Sequence, residues 1–127
     1  MMLGGIKMAL LDFEVPKDVA EQVYTALEAV GSAGNIRKGT NEATKAIERG
    51  LAKLVVIAED VSPIEVVMHM PVLCNEKKVP IISVPSRQEL GAAAGLEVST
   101  AAVAIVDDGK GKKQIEDVVK KIKELSK

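Results

Sequence analysis

Three short apolar runs rich in β-branched residues, Lys53 to Ala58, Val79 to Val84 and Ala101 to Val106, are separated by segments with helical patterning. Each run has the length and composition of a buried strand, and strands that alternate with helices predict a single sheet sandwiched between helical layers. This alternation restricts the chain to the α/β class.

The intervening segments carry helix signals. Val19, Ala20, Val23, Leu27 and Val30 recur at helical spacing behind Pro16, which suits a first helical position, and Gly31 suits the stop. A short stretch, Asn35 to Lys38, leads into Gly39 and Thr40; the threonine hydroxyl is positioned to cap a helix running through Arg49 and ended by Gly50. Ser62-Pro63-Ile64-Glu65 and Ser86-Arg87-Gln88-Glu89 are both capping boxes. The first opens a helix that buries Val66, Val67, Met70, Leu73 and Cys74, with a kink or early end expected at Pro71 because proline lacks an amide hydrogen and crowds the preceding turn. The second opens a short alanine-rich helix stopped by Gly95. Asp107-Asp108-Gly109 supplies a turn, and Ile115, Val118, Val119, Ile122 and Leu125 mark an amphipathic C-terminal helix with a lysine-rich, solvated face.

With 127 residues, the chain suits one domain, residues 1–127, with a single compact core. No apolar run approaches the roughly 18 residues needed to span a bilayer, and Met1 to Leu11 lacks the pattern of a secretory signal. A cytoplasmic protein without membrane attachment is the expectation. The single cysteine, Cys74, and single histidine, His69, fall short of a zinc set, so no metal is expected. His69 lies in a largely apolar helix between Met68 and Met70, where a partly buried structural role is expected, and Cys74 reads as a core thiol. The chain has no glycine-rich nucleotide fingerprint and no nucleophile paired with a base, so neither catalytic residues nor cofactors are expected.

A net charge of -1 argues against coating nucleic acid with bulk positive charge. The aromatic residues, Phe13 and Tyr24, fall in or near core-forming segments, which disfavours base stacking on the sheet. One segment stands out. Between Gly34 and Gly50, the stretch to Lys45 holds Arg37, Lys38 and Lys45 against one carboxylate, Glu42. At a helix start the first amides point outward and favour phosphate beside Lys38 and Arg37. Asn41 and Lys45, four apart, share a face with Glu42 beside them, and a carboxylate suits the donor edge of guanine. The alternative is a plain surface helix in which Thr40 caps, Glu42 favours the dipole and Lys45 pairs with Glu42 or Glu48. Two other function classes compete with RNA recognition: an enzyme or accessory domain holding a phosphorylated small molecule at the Thr40 helix start, and a purely protein-binding scaffold.

These residues give the chain its resemblance to the L-seven-Ae family, the archaeal kink-turn-binding large-subunit ribosomal proteins that are also core subunits of modification-guide particles. The matching segments are Arg37 to Lys45, Ala58-Glu59-Asp60 with Ser62-Pro63, His69 to Pro80, and Ala94-Gly95-Leu96-Glu97-Val98. The resemblance implies a three-layer α-β-α sandwich around one mixed sheet of about four strands. It also implies noncatalytic recognition of sheared guanine-adenine pairs beside a three-nucleotide bulge. Asn41, Glu42 and Lys45 would read the guanines, Gly39 and Thr40 would allow close backbone approach, and Arg37 and Lys38 would meet phosphates. Arg87 matches a further basic contact. Leu96, Glu97 and Val98, with Val66 nearby, would cover a flipped base, although eukaryotic relatives carry a more polar loop there; without RNA, Leu96 and Val98 would simply seal the core edge. The implied partners are kink-turn RNAs of the ribosome, of box C/D and H/ACA guide particles and of RNase P, together with guide-particle scaffold proteins. The free chain is expected to be a monomer.

Overall fold

The computed structural model describes residues 15–31, 35–61, 65–107 and 109–125. The expectations placed on Met1 to Leu11, Phe13, Gly34, Asp108 and the cap at Ser62-Pro63-Ile64 lie outside these described residues. The elements are α1 (Lys17–Val30), β1 (Asn35–Lys38), α2 (Thr40–Glu48), β2 (Leu54–Ala58), α3 (Glu65–Lys77), β3 (Ile81–Val84), α4 (Arg87–Ala93), β4 (Ala102–Asp107) and α5 (Lys112–Leu125), with a 3-10 turn over Gly109–Gly111.

The four strands form one sheet in the order β1-β4-β2-β3. β4 runs antiparallel to both β1 and β2, whereas β2 and β3 are parallel. The sheet is therefore mixed, and β1, β2 and β3 all point the same way. Alternating residues on the strands feed two cores. Leu54, Val56, Val103 and Ile105 pack with α1, α4 and α5, while Val55, Ile57, Ala102 and Ala104 pack with α2 and α3. The expected three-layer sandwich is the observed architecture.

The three apolar runs became β2, β3 and β4, each within two residues of the expected limits. β1 has no comparable signal, because Asn35, Arg37 and Lys38 are exposed and only Ile36 is partly covered. It exists through pairing with β4, from Ile36 opposite Ile105 to Lys38 opposite Val103. Pro16 takes the N-cap of α1 rather than its first turn, with extended backbone (ψ 153°), and its carbonyl accepts from Ala20 N at 3.0 Å.

Pro71 does not bring the early end that was one of its two expected effects, since α3 continues past it to Lys77. An interior proline costs about 3 kcal/mol, but each fully buried large apolar side chain returns about 1.5–3 kcal/mol. Val67, Met70 and Cys74, all with no exposed surface, flank the proline and hold the helix against the sheet. The helix ends at Lys78, in the left-handed region at φ 58°, where Val79 N donates to Cys74 O at 2.9 Å.

The Ser86 box is half formed as expected. Ser86 Oγ accepts from Glu89 N at 3.2 Å, but Ser86 N donates to the Tyr24 hydroxyl (3.3 Å), which itself donates to Ser86 O at 3.4 Å. Tyr24 thereby ties α1 to the start of α4. Burial, opposed by the Ser86 bond and reinforced by Glu89 and Asp60, raises its phenol from the usual 10.0 to about 12. The neutral phenol is favoured in the fold, so this stability is fully present below about pH 10 and is lost as pH rises through about 12. Tyr24 is the sole tyrosine and the chain has no tryptophan, so phenolate absorbance reports it alone. The native midpoint is expected near 12 and the urea-unfolded one near 10; coincident midpoints would contradict the burial.

Gly111 generates a second prediction. A Cβ there would lie 2.8 Å from both the backbone N and Cγ2 of Val30, against the end of α1. Gly111→Ala should destabilise the chain by about 1–3 kcal/mol in urea unfolding, as overpacking does elsewhere.

Candidate nucleic-acid interface

The strand directions decide where the candidate residues gather. Gly39 and Thr40 follow β1, Val66 follows β2, Arg87 follows β3, and Leu96 to Val98 precede the antiparallel β4. The C-terminal ends of three strands and the N-terminal end of the fourth form one rim of the sheet. Ligand sites of open α/β sheets collect at such carboxyl ends. Backbone bonds close the rim from strand to strand: Gly39 N donates to Ala102 O (2.8 Å), Ala58 N to Ala101 O (2.9 Å) and Glu59 N to Val84 O (2.8 Å).

At one side of this rim, β1 passes into α2 through Gly39 alone. Gly39 has φ 96°, a backbone that residues with a side chain rarely adopt, and serves as the N-cap of α2. This corrects the expectation for Thr40, which is the first helical residue; among the described residues, no side-chain cap bond forms at this helix start. Its opening amides are left pointing outward, beside exposed Arg37 and Lys38. With 9 residues, α2 is too short to be stable alone and is held by Ala43, Ala46 and Ile47, all buried against the sheet.

The opposite face presents Asn41, Glu42 and Lys45, all exposed. Lys45 Nζ and Glu42 Oε2 lie 3.6 Å apart, with the two side chains 57% and 53% exposed. An ion pair this exposed contributes less than about 1 kcal/mol, so a ligand can separate it at little cost.

Thr44, between these residues, shares a hydrogen bond of 2.9 Å with His69 Nε2 on α3. His69 is exposed, contrary to the partly buried position expected, because it lies on the side of α3 away from Met70 and Cys74. Its bond latches α2 to α3, a link invisible to sequence reading since the two residues are 25 apart. Cys74 is the expected core thiol; burial pushes it up to about 12, which keeps it protonated and poorly nucleophilic at neutral pH. Among the described residues, no group of three or more His, Cys, Asp and Glu is placed to hold a metal, and no helix is long and apolar enough to cross a membrane.

The other side of the rim is built around α4. Arg87 and Glu97 are exposed and Leu96 is partly buried. Val98 is 68% exposed, so it does not seal the core edge. Gln88, Ala92 and Leu96 to Ser99 line an open depression of about 460 Å³. Gly91 supports the loop from beneath, because a Cβ there would collide with the Val98 carbonyl oxygen. Val66 lies in the first turn of α3, and its side chain is outside the described residues.

The sequence pattern described as the ribosomal protein L7Ae/L30e/S12e/Gadd45 family matches residues 21–115. Among solved structures, the chain is similar to one described as "Giardia lamblia 15.5kD RNA binding protein", with 31% identity, a TM-score of 0.83, and coverage of 91% of this chain and 96% of that one. With this rim, this sheet order and these matches, the chain belongs to the ribosomal protein L7Ae/L30e/S12e/Gadd45 family.

Proposed function

We propose that the chain is a noncatalytic RNA-binding protein that recognises kink-turn RNA in the large ribosomal subunit and in box C/D and H/ACA guide particles, with RNase P RNA as a further target. The observation that carries this reading is the convergence of four separate chain segments on one rim of the sheet. The family and the similarity to a Giardia lamblia RNA-binding protein support RNA as the ligand. In this reading Arg37, Lys38 and the opening amides of α2 meet phosphates, while Asn41, Glu42 and Lys45 read sheared guanines. Gly39 and Thr40 permit close approach, because no side chain stands over the corner. Arg87 supplies a second basic contact, and Leu96, Glu97 and Val98, with Val66, wall in the extruded base over the depression beside α4. Scaffold proteins of the guide particles would then assemble on the folded RNA. When free of RNA, the protein is a cytoplasmic monomer.

Recognition of shape by a few groups explains how a chain with net charge -1 binds a polyanion. A single well-placed polar contact to a base contributes about 1–3 kcal/mol of discrimination. The double variant Asn41→Ala, Lys45→Ala should therefore lose at least about thirtyfold in affinity for a kink-turn RNA in a mobility-shift titration. Unchanged affinity would remove α2 as the reading face. With about three or four cations on phosphate, affinity should fall with a log-log salt slope of roughly -2 to -4. A slope twice as steep would indicate extended phosphate tracking instead. Kink-turn RNA should also raise the thermal midpoint, whereas stabilisation by nucleotides alone would favour a small-molecule site at the α2 start.

A further inference from the structure

Arg87 is mounted in an unusual number of places for an exposed residue at the start of a short helix. Its amide donates to Asp60 Oδ1 at 2.9 Å, across a separation of 27 residues. Its carbonyl accepts from Thr100 N at 3.2 Å. The preceding residue, Ser86, is held through both its backbone N–H and its carbonyl by the Tyr24 hydroxyl. Next to Asp60, Glu59 is fixed twice, through its amide to Val84 O (2.8 Å) and through Oε2, which accepts from the nearly buried Ser83 hydroxyl at 2.6 Å. Thr100, at the other side, is 7% exposed, and its hydroxyl donates to Ala102 O at 3.0 Å. The peptide units around Arg87 are thus clasped between the segment after β2 and the segment before β4.

The α4 helix does not need Asp60 as its local cap, since Ser86 Oγ already accepts from Glu89 N. We infer that Asp60 is a positioning residue, fixing the backbone from which Arg87 is presented to the RNA. This inference rests on the proposed function above. Asp60 is also a charged, exposed side chain that bonds directly to the Arg87 amide. Replacing it alters the mount without emptying the core.

Simple electrostatics makes the opposite prediction. A carboxylate beside an RNA site repels phosphate, so its removal alone would tighten binding. Positioning predicts that Asp60→Ala weakens kink-turn RNA binding about tenfold, as loss of a hydrogen bond to a charged group does. Asp60→Asn, which removes the same charge but keeps an acceptor oxygen, should retain most of the affinity. In a double-mutant cycle, Asp60→Ala combined with Arg87→Ala should bind little worse than Arg87→Ala alone. Hydrogen exchange at the Arg87 amide should accelerate in Asp60→Ala, with α1 and α5 amides unchanged.

Tighter or unchanged binding by Asp60→Ala would overturn the inference, as would additive effects in the cycle. Native binding by Arg87→Ala would overturn it too, since Asp60 would then have no contact to position. Failure of the native chain itself to bind kink-turn RNA is a different result, one that removes the proposed function and the inference with it.

Discussion

Gly39 joins β1 to α2 with no intervening loop, and the arrangement of the α2 side depends on that single residue. Its φ of 96° turns the chain from strand to helix, while its amide stays bonded to Ala102 O at the end of the sheet. Because the turn is so short, Arg37 and Lys38 on the strand lie within a few residues of Asn41, Glu42 and Lys45 on the helix. A longer connection would let these groups move independently and would add conformational entropy to be lost when a ligand binds. Any residue with a Cβ would strain this backbone even though open space surrounds it.

The rest of the rim is held differently. On the α4 side Asp60, Thr100, Ser86 and Tyr24 fix the backbone through bonds between segments far apart in sequence. The two sides meet through Ala101 and Ala102, which bond to Ala58 and Gly39 respectively. A small number of polar groups can discriminate only if their spacing is fixed, and here the sheet supplies the spacing.

The sandwich was readable in the sequence because its central strands are continuous apolar runs and its helices carry regular apolar spacing, a capping serine at α4 and terminal glycines. β1 was not readable as a strand: Asn35-Ile36-Arg37-Lys38 has one partly covered residue and takes its conformation from pairing with β4. Pro71 does not end its helix, because the burial of Val67, Met70 and Cys74 around it offsets the local cost. Thr40 carries a hydroxyl that fits a cap, yet the cap position falls on Gly39, whose backbone requires glycine. The α2 residues were legible from their local spacing, while the bonds from Asp60 to Arg87 and from Thr44 to His69 leave no pattern within either short segment.

Among the described residues, β1 is also an outer strand of the sheet, with β4 on its paired side. Open strand edges invite other chains to add on, and proteins discourage this with lysine, short length and irregular register. β1 has all three: it is 4 residues long, its register shifts between Asn35 and Ile36, and it carries Arg37 and Lys38. Arg37 and Lys38 therefore help to make this edge a poor template for self-association. Replacing both cations would leave short length and shifted register as the remaining protection of this edge.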